Sequence, residues 1–157
     1  MDLILWRHAQ AEMLSEELPS KTDGERKLTT KGHKQAAKMA LWLGSVLPDT
    51  TKILVSPSQR TIQTANALGR KYKIVPEVGT ESTAEDILAA CNWPHSKEPV
   101  LIIGHQPHLG EVVTKLIPSY QHCSIRKGNV WWISQKESED NPATFLKAIM
   151  TPELIVK

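Results

Sequence analysis

The chain has 157 residues, 40% of them hydrophobic, which is enough to bury one core without disulfides or a structural metal. Its 19 Lys and Arg residues against 17 Asp and Glu give a net charge of only +2, which argues against nucleic acid and against a membrane surface as the partner. We therefore expect a single domain over residues 1–157. Cys91 and Cys123 lack metal-ligand spacing and are predicted to be reduced thiols of a cytoplasmic protein.

The first third of the chain alternates strand-like and helix-like patterns. Residues 1–7 form a short apolar run that contains Arg7, which indicates a first strand and not a signal peptide. No apolar segment is long enough to cross a membrane. In chain order we predict a strand over 2–7, a long loop or short irregular helix over 9–28 (including Pro19), a helix over 31–46 capped by Thr29 or Thr30, and a strand over 52–56.

Ser56-Pro57 is typical of a helix start, a capping serine followed by proline at the first helical position. It predicts a helix that runs to about Arg70 with its apolar residues facing inward. The remaining predicted elements are a weak strand over 73–75, a helix over 83–91 capped by Ser82 or Thr83, a strand over 100–103, a helix that begins at Pro107, and two strands over 129–134 and 144–149 joined by a polar turn at 138–141.

Strand–helix alternation followed by a late hairpin predicts an α/β fold with three layers, α/β/α. The central sheet should be mostly parallel with an antiparallel edge strand. Parallel strands place their carboxyl ends at one edge of a sheet, where open α/β folds bind ligands. Polar residues follow three of the predicted strands, and we expect them to form one compact cationic pocket: Arg7, His8, Arg60 and His105.

These residue types suit phosphate chemistry. Guanidinium groups present forked donors that match phosphoryl oxygens, and a helix start beside Arg60 adds partial positive charge. A neutral imidazole can attack phosphorus and form a covalent intermediate. Crowding by Arg7 and Arg60 disfavours the protonated ring of His8 and keeps its lone pair available. The pattern therefore predicts phosphoryl transfer to a histidine.

Four blocks occur in a fixed order between residues 3 and 109. They are Arg7-His8-Ala9, similar to Arg-His-Gly; Leu28-Thr29-Thr30-Lys31-Gly32 with Gln35-Ala36; Ser56-Pro57-Ser58-Gln59-Arg60-Thr61-Ile62-Gln63-Thr64-Ala65, similar to Ser-Pro-x-x-Arg-x-x-Gln-Thr-Ala; and Gly104-His105-Gln106-Pro107 with Leu109, similar to Gly-His-x-Pro-x-Leu. The ordered set resembles the histidine phosphatase superfamily, whose fold is phosphoglycerate-mutase-like. Within it, the set looks like the small SixA-type branch of phosphohistidine phosphatases.

The resemblance implies a role for each pocket residue. His8 would be the nucleophile, and Arg7, Arg60 and His105 would hold the transferring phosphoryl group. Ser56 would bind the phosphate or the nucleophilic histidine, or act only as a helix cap; both readings stay open. The implied partner is a protein phosphorylated on histidine, such as a phosphotransfer domain or a phosphocarrier protein. Thr29, Gln63 and Thr64 are interpreted mainly as structural supports around the pocket.

No cofactor or metal is expected. His105 and His108 have a His-x-x-His spacing, but Pro107 lies between them and no paired carboxylates accompany them, which argues against zinc. The third predicted strand, 73–75, is followed by Pro76–Glu81, where larger relatives of the resembled family carry a long insertion with an acidic residue. Glu77 or Glu81 is a candidate general acid, or else a surface carboxylate.

Two departures from the pattern leave other functions open. Ala9 replaces the signature glycine, and an added methyl group should narrow the approach to phosphate. The missing insertion favours cleavage of a P–N bond, because an imidazole leaving group can carry its own proton whereas an alkoxide needs a general acid. The alternatives are a phosphatase of a small phosphate ester and a catalytically weak phosphate-binding module.

Overall fold

Strands and helices alternate along the computed structural model of the chain, which describes residues 1–14, 22–136 and 142–156. The predicted turn at 138–141 and Pro19 of the predicted loop lie outside these residues. The described strands are β1 (Asp2–Arg7), β2 (Lys52–Val55), β3 (Lys73–Ile74), β4 (Val100–Gly104), β5 (Val130–Lys136) and β6 (Ala143–Met150), and the helices are α1 (Thr30–Val46), α2 (Gln59–Asn66), α3 (Ala84–Ala90) and α4 (His108–Leu116).

The strands form one sheet in the order β3-β2-β4-β1-β5-β6. The first four are mutually parallel, whereas β5 runs antiparallel to β1 and β6 antiparallel to β5. The predicted parallel sheet with an antiparallel edge is therefore confirmed, with two strands at that edge. Because β2, β4 and β1 are neighbours, their carboxyl ends lie side by side, as the pairing of Arg7 with Gly104 shows.

Helices cover both faces of this sheet, as predicted for three layers. Alternate residues of the buried strand β1 point to opposite faces. Ile4 and Trp6 pack with buried residues of α1 and α2, whereas Leu3 and Leu5 pack with those of α3 and α4. None of the helices formed by the described residues combines the length and apolar character that crossing a bilayer requires.

The first helix begins where the sequence predicts. Thr29 is its N-cap, and the Thr29 hydroxyl accepts a hydrogen bond from the Gly32 amide at 3.0 Å. Gly32 lies so close to the chain after β1 that a Cβ there would stand 2.0 Å from the Gln10 carbonyl oxygen. The first turn of α1 therefore packs directly against the backbone that follows His8.

The predicted start of the second helix is wrong. It begins at Gln59, not after Ser56, and its N-cap is Ser58, whose hydroxyl accepts from the Thr61 amide at 3.3 Å. Ser56 is held differently, because its carbonyl accepts from the Thr61 hydroxyl and its side chain points to another partner. The N-cap of α2 is thus two residues later than predicted, and Ser56 does not cap the helix.

The predicted end of this helix near Arg70 is also wrong. The helix ends at Asn66, and the chain then turns tightly, with the Leu68 amide donating to the Ala65 carbonyl. Gly69 follows with φ of +69°, a left-handed conformation that ends helices. Of the residues predicted to face inward, Ala65 is buried, and Ile62 and Leu68 pack against the core while partly exposed.

Candidate active site

Three chain segments meet at the carboxyl ends of β1, β2 and β4. The His8 amide donates to the Gly104 carbonyl at 3.1 Å, and the Ser56 amide donates to the Ile103 carbonyl at 3.1 Å. These bonds extend the parallel pairing one residue past the strands. They place the residues after each strand beside one another, as the sequence predicts for a ligand site.

The predicted pocket residues do come together. The rings of His8 and His105 have centroids 5.4 Å apart and are tilted by 56°. Nη2 of Arg60 lies 3.3 Å from Nδ1 of His105, and the Ser56 hydroxyl lies 2.7 Å from its Nε2. Arg7 is close enough for its charge to lower the pKa of His8.

His8 is buried and held in one tautomer. Its Nδ1 lies 2.8 Å from the Ala9 carbonyl oxygen, which can only accept, so Nδ1 carries the proton. The pKa of His8 is lowered to about 3, mainly by burial. The Ala9 hydrogen bond acts in the opposite direction, and the charges of Arg60 and Arg7 contribute to the lowering. The ring is therefore neutral at neutral pH, with its lone pair on Nε2.

His105 is buried with both ring nitrogens engaged. A guanidinium group only donates, so Nδ1 accepts from Arg60 and Nε2 carries the proton that is donated to Ser56. Burial lowers the pKa of His105 to about 3, and the Arg60 charge adds to the shift. The site thus holds two neutral imidazoles between guanidinium groups.

Both arginines keep donors without a protein partner. Arg7 donates from Nη1 to the Ile125 carbonyl at 2.9 Å, and Arg60 donates from Nη1 to the Asp23 carbonyl at 2.9 Å. The Nε atoms of Arg7 and Arg60 are buried and make no hydrogen bond with the described chain. Buried donors of this kind are satisfied well by the oxygens of an anion.

Asp23 and Arg26 also lie at the site, although neither is predicted from the sequence. Asp23 lies in a short 3-10 turn, Asp23–Glu25, and its carboxylate contacts Nη2 of Arg60 at 3.0 Å and Nε of Arg26 at 3.2 Å. The Arg26 charge also lowers the pKa of His8. Their position just before the Leu28-Thr29-Thr30 block is the one signal that could have suggested them.

Thr64 and Gln63 support the pocket, as predicted. The buried Thr64 hydroxyl accepts from the Ala9 amide at 3.1 Å and donates to the Arg60 carbonyl at 2.7 Å. Gln63 accepts from the Leu28 amide at 2.7 Å. The first turns of α2 are thus fastened both to the chain after β1 and to the segment before α1.

The methyl group of Ala9 points away from the predicted pocket. Ala9 is fully buried in a small apolar cluster with Ala11, Leu28 and Ala36. Its φ is not positive, since the non-glycine residues with positive φ are Asn92 and His122 in the part of the chain that is described. The backbone at this position therefore has no conformational need for glycine.

In the part of the chain that is described, the two candidate acids make no hydrogen bond or ion pair with the pocket residues. Glu77 lines a surface cavity with Leu54, Lys73 and Asp86, and none of the pocket residues lines it. Within residues 1–14, 22–136 and 142–156, neither Glu77 nor Glu81 hydrogen-bonds to Arg7, His8, Arg60 or His105. The same residues contain no group of three or more His, Cys, Asp or Glu placed to hold a metal ion.

Comparisons with known proteins relate the sequence to one family and the fold to solved structures. The family model of the histidine phosphatase superfamily (branch 1) matches residues 3–85. The chain is similar to phosphohistidine phosphatase SixA of Escherichia coli K12, 29% identical over 127 residues and 75% of each chain. It is also similar to the SixA homolog of Haemophilus influenzae, 30% identical over 132 residues, 74% of this chain and 77% of the relative. The crystal structure of a putative SixA from Agrobacterium tumefaciens superimposes with a TM-score of 0.79 at 20% identity, over 96% of this chain and 97% of that one.

Proposed function

The chain belongs to the histidine phosphatase superfamily, branch 1, and on this basis we propose that it is a phosphatase that hydrolyses phosphohistidine on a partner protein. Two relatives named for phosphohistidine phosphatase activity, at 29% and 30% identity, support this substrate. His8 is the nucleophile, Arg7, Arg60 and His105 hold the phosphoryl group, and no metal or cofactor takes part.

The tautomer of His8 is the observation that carries the proposal. With its proton fixed on Nδ1 by the Ala9 carbonyl, Nε2 presents a lone pair inside a cationic pocket. In the first step a bond forms between Nε2 and phosphorus while the P–N bond of the substrate breaks, and the partner's imidazole leaves with its own ring proton. Water then attacks the phosphorus of phospho-His8, which releases inorganic phosphate and returns the neutral ring.

The arginines supply positive charge that stabilises the phosphoryl group during its transfer. Guanidinium groups neutralise equatorial phosphoryl oxygens, a role that metal ions fill in other phosphoryl-transfer enzymes. The free Nε donors of Arg7 and Arg60 are suited to those oxygens. His105 is the second imidazole, oriented by Ser56 and with its ring centroid 5.4 Å from that of His8. Because its Nδ1 accepts from Arg60, His105 donates to a phosphoryl oxygen only when Nδ1 has left Arg60 and carries a proton.

The position of the acidic residues favours a P–N bond over a phosphate ester. An alkoxide leaving group needs a proton in the transition state. Among the described residues, neither Glu77 nor Glu81 is hydrogen-bonded to a pocket residue, and the Asp23 carboxylate is paired with Arg60 and Arg26. A protonated imidazole leaves without such help. This chemistry supports phosphohistidine as the substrate class ahead of sugar phosphates or other small esters.

Trapping the intermediate tests the nucleophile. The wild-type protein, mixed with a phosphohistidine protein and quenched in alkali, should carry phosphate that acid releases. His8→Ala should carry none, whereas His33→Ala, which alters an exposed histidine of α1, should be labelled like wild type. Absence of label on the wild-type protein with every phosphodonor would favour a phosphate-binding module instead.

The substrate class is tested by turnover. Rates on a panel of phosphohistidine proteins, on p-nitrophenyl phosphate and on sugar phosphates should show a clear preference for phosphohistidine, unchanged by a chelator. A preference for sugar phosphates would contradict the proposed substrate without touching the role of His8.

The arginine roles are tested by truncation. Arg7→Ala and Arg60→Ala should each reduce transition-state stabilisation by about 2–4 kcal/mol, the scale for removing one oxyanion donor. Arg70→Ala is the matched control, because Arg70 donates instead to the carbonyls of Pro48 and Leu47. Full activity in both pocket variants would mean that phosphate binds elsewhere.

A further inference from the structure

A second group of cations adjoins the pocket at Arg7. Two neighbouring surface cavities, of about 400 and 210 Å³, share Lys31, Gln35 and Glu153 in their linings. We name their cationic side chains the basic patch: Arg7, Lys31, Lys34, Lys38, Arg126 and Lys127.

Two segments distant in sequence build this patch. Lys31, Lys34 and Lys38 recur at three- and four-residue intervals, so they share one face of α1. The segment before β5 wraps around the end of β1, because Nη1 of Arg7 donates to the Ile125 carbonyl and the Gly128 amide donates to the Arg7 carbonyl. Arg126 and Lys127 lie between those two anchor points.

The charge of the patch is not balanced locally. Its six cations face one lining carboxylate, Glu153, whereas the whole chain has a net charge of only +2. No carboxylate of the described segments lies within 4.0 Å of a patch nitrogen in an ion pair. Positive charge held together in this way attracts an anionic partner and raises its association rate.

We propose that the basic patch docks a carboxylate-rich surface of the protein that carries the phosphohistidine; this claim rests on the proposed function. Lys31 and Lys38 stand about 10 Å apart along α1, from the rise per helical residue. Lysines spread over that length, with Lys31 and Lys34 exposed and Lys38 half-buried, match carboxylates distributed along a protein segment better than one compact phosphate. Arg7 belongs to both regions, so acidic groups on the patch would lie beside the phosphorylated histidine in the pocket.

Matched peptides and matched variants test the proposal. One phosphohistidine peptide carries glutamates on both sides of the histidine, and a second carries glutamine at the same positions. The wild-type kcat/KM should favour the glutamate peptide by about tenfold at low salt, and the preference should shrink as salt is added. Lys34→Glu with Lys127→Glu should abolish or reverse the preference. Lys71→Glu with Lys97→Glu, an equal charge change at exposed sites outside the patch, should keep it.

The other possible results distinguish failure of the docking proposal from failure of the proposed function. Turnover of both peptides with no glutamate preference, or equal loss of preference in the two double variants, would overturn the basic patch and leave the proposed function intact. Hydrolysis of small phosphoramidates but of neither peptide would overturn both. The wild-type protein could instead prefer a small bisphosphate over the corresponding monophosphate and lose that preference only in Lys34→Glu with Lys127→Glu. This result would show that the patch binds a second phosphate group and would overturn the proposal that it docks a protein.

Discussion

The Ser56 hydroxyl accepts a hydrogen bond from Nε2 of His105 at 2.7 Å and fixes the plane of that ring opposite His8. We predict that Ser56→Ala lowers kcat/KM about tenfold, because the ring loses its acceptor and a buried N–H is left unpaired. Steady-state kinetics on a phosphohistidine substrate measures the effect. Ser58→Ala is the control: it removes the cap of α2 and should lower the free energy of unfolding by about 1 kcal/mol while the His105 contact remains. Undiminished kcat/KM in Ser56→Ala would show that the bond does not position His105.

The Thr64 hydroxyl joins the Ala9 amide to the Arg60 carbonyl and so ties the segment that carries His8 to helix α2. Thr64→Val keeps the shape but removes the hydroxyl. We expect it to lower the free energy of unfolding by about 1–3 kcal/mol, since the buried Ala9 amide loses its partner. Thr64→Ser keeps the hydroxyl and should retain most of the activity and stability. Urea unfolding and kcat/KM, measured on both variants, should therefore separate them. A loss in Thr64→Ser but not in Thr64→Val would mean that the methyl group, not the hydroxyl, matters.

The sequence was enough to place the pocket but not to assign every side chain in it. His8 and His105 follow strands whose apolar runs are clear in the sequence, and parallel pairing then brings the strand ends together. Ser56 and Ser58 flank Pro57, and local rules allow either to cap a helix. Only the tertiary partner, the ring of His105, decides between them.

Other features depend on folding of segments without a periodic pattern. Asp23 and Arg26 lie in a stretch that reads as polar loop, and their contacts with Arg60 and the neighbourhood of His8 arise only from its folded path. The basic patch joins residues of α1 to Arg126 and Lys127, whose proximity depends on how the segment before β5 crosses β1. Spacing along the chain predicts neither the contact of Asp23 with Arg60 nor the position of Arg126 and Lys127 beside α1.

Asp23 places a negative charge 3.0 Å from the arginine proposed to bind phosphate. We predict that Asp23→Asn strengthens inhibition by inorganic phosphate about threefold to tenfold, because the like-charge repulsion between carboxylate and phosphate is removed. Competitive inhibition constants measure this directly. Asp49→Asn, at an exposed aspartate outside the described site, should leave the constant unchanged. Weaker inhibition in Asp23→Asn would instead show that the carboxylate's main role is to hold Arg60 in place.

The lowered pKa values of His8 and His105 predict acid sensitivity. The unfolded chain binds protons at these rings below the ordinary pKa of about 6.5, whereas the folded chain excludes them until the pH approaches about 3. The stability that the two neutral rings contribute is therefore complete above pH 6.5 and decreases as the pH falls from 6.5 towards about 3. Between pH 7 and pH 5 the free energy of unfolding should decrease by about 2 kcal/mol per histidine. Urea unfolding at both pH values should show a smaller loss in His8→Gln and His105→Gln than in wild type or in His33→Gln. An equal loss of unfolding free energy in all four proteins would show that His8 and His105 are not buried as neutral rings.

Two glycines of α1 should respond oppositely to the same substitution. A Cβ at Gly32 would stand 2.0 Å from the Gln10 carbonyl oxygen, whereas one at Gly44 would meet nothing within 4 Å. Gly32→Ala must push the first turn of α1 away from the backbone after His8, so we expect a loss of about 1–3 kcal/mol, the scale for overpacking, together with reduced phosphatase activity. Gly44→Ala should gain about 0.5–1 kcal/mol, because alanine is the better helix former at an exposed position. Thermal unfolding of both variants measures the contrast, and a Gly32→Ala protein as stable and active as wild type would refute the close approach of α1 to the segment after His8.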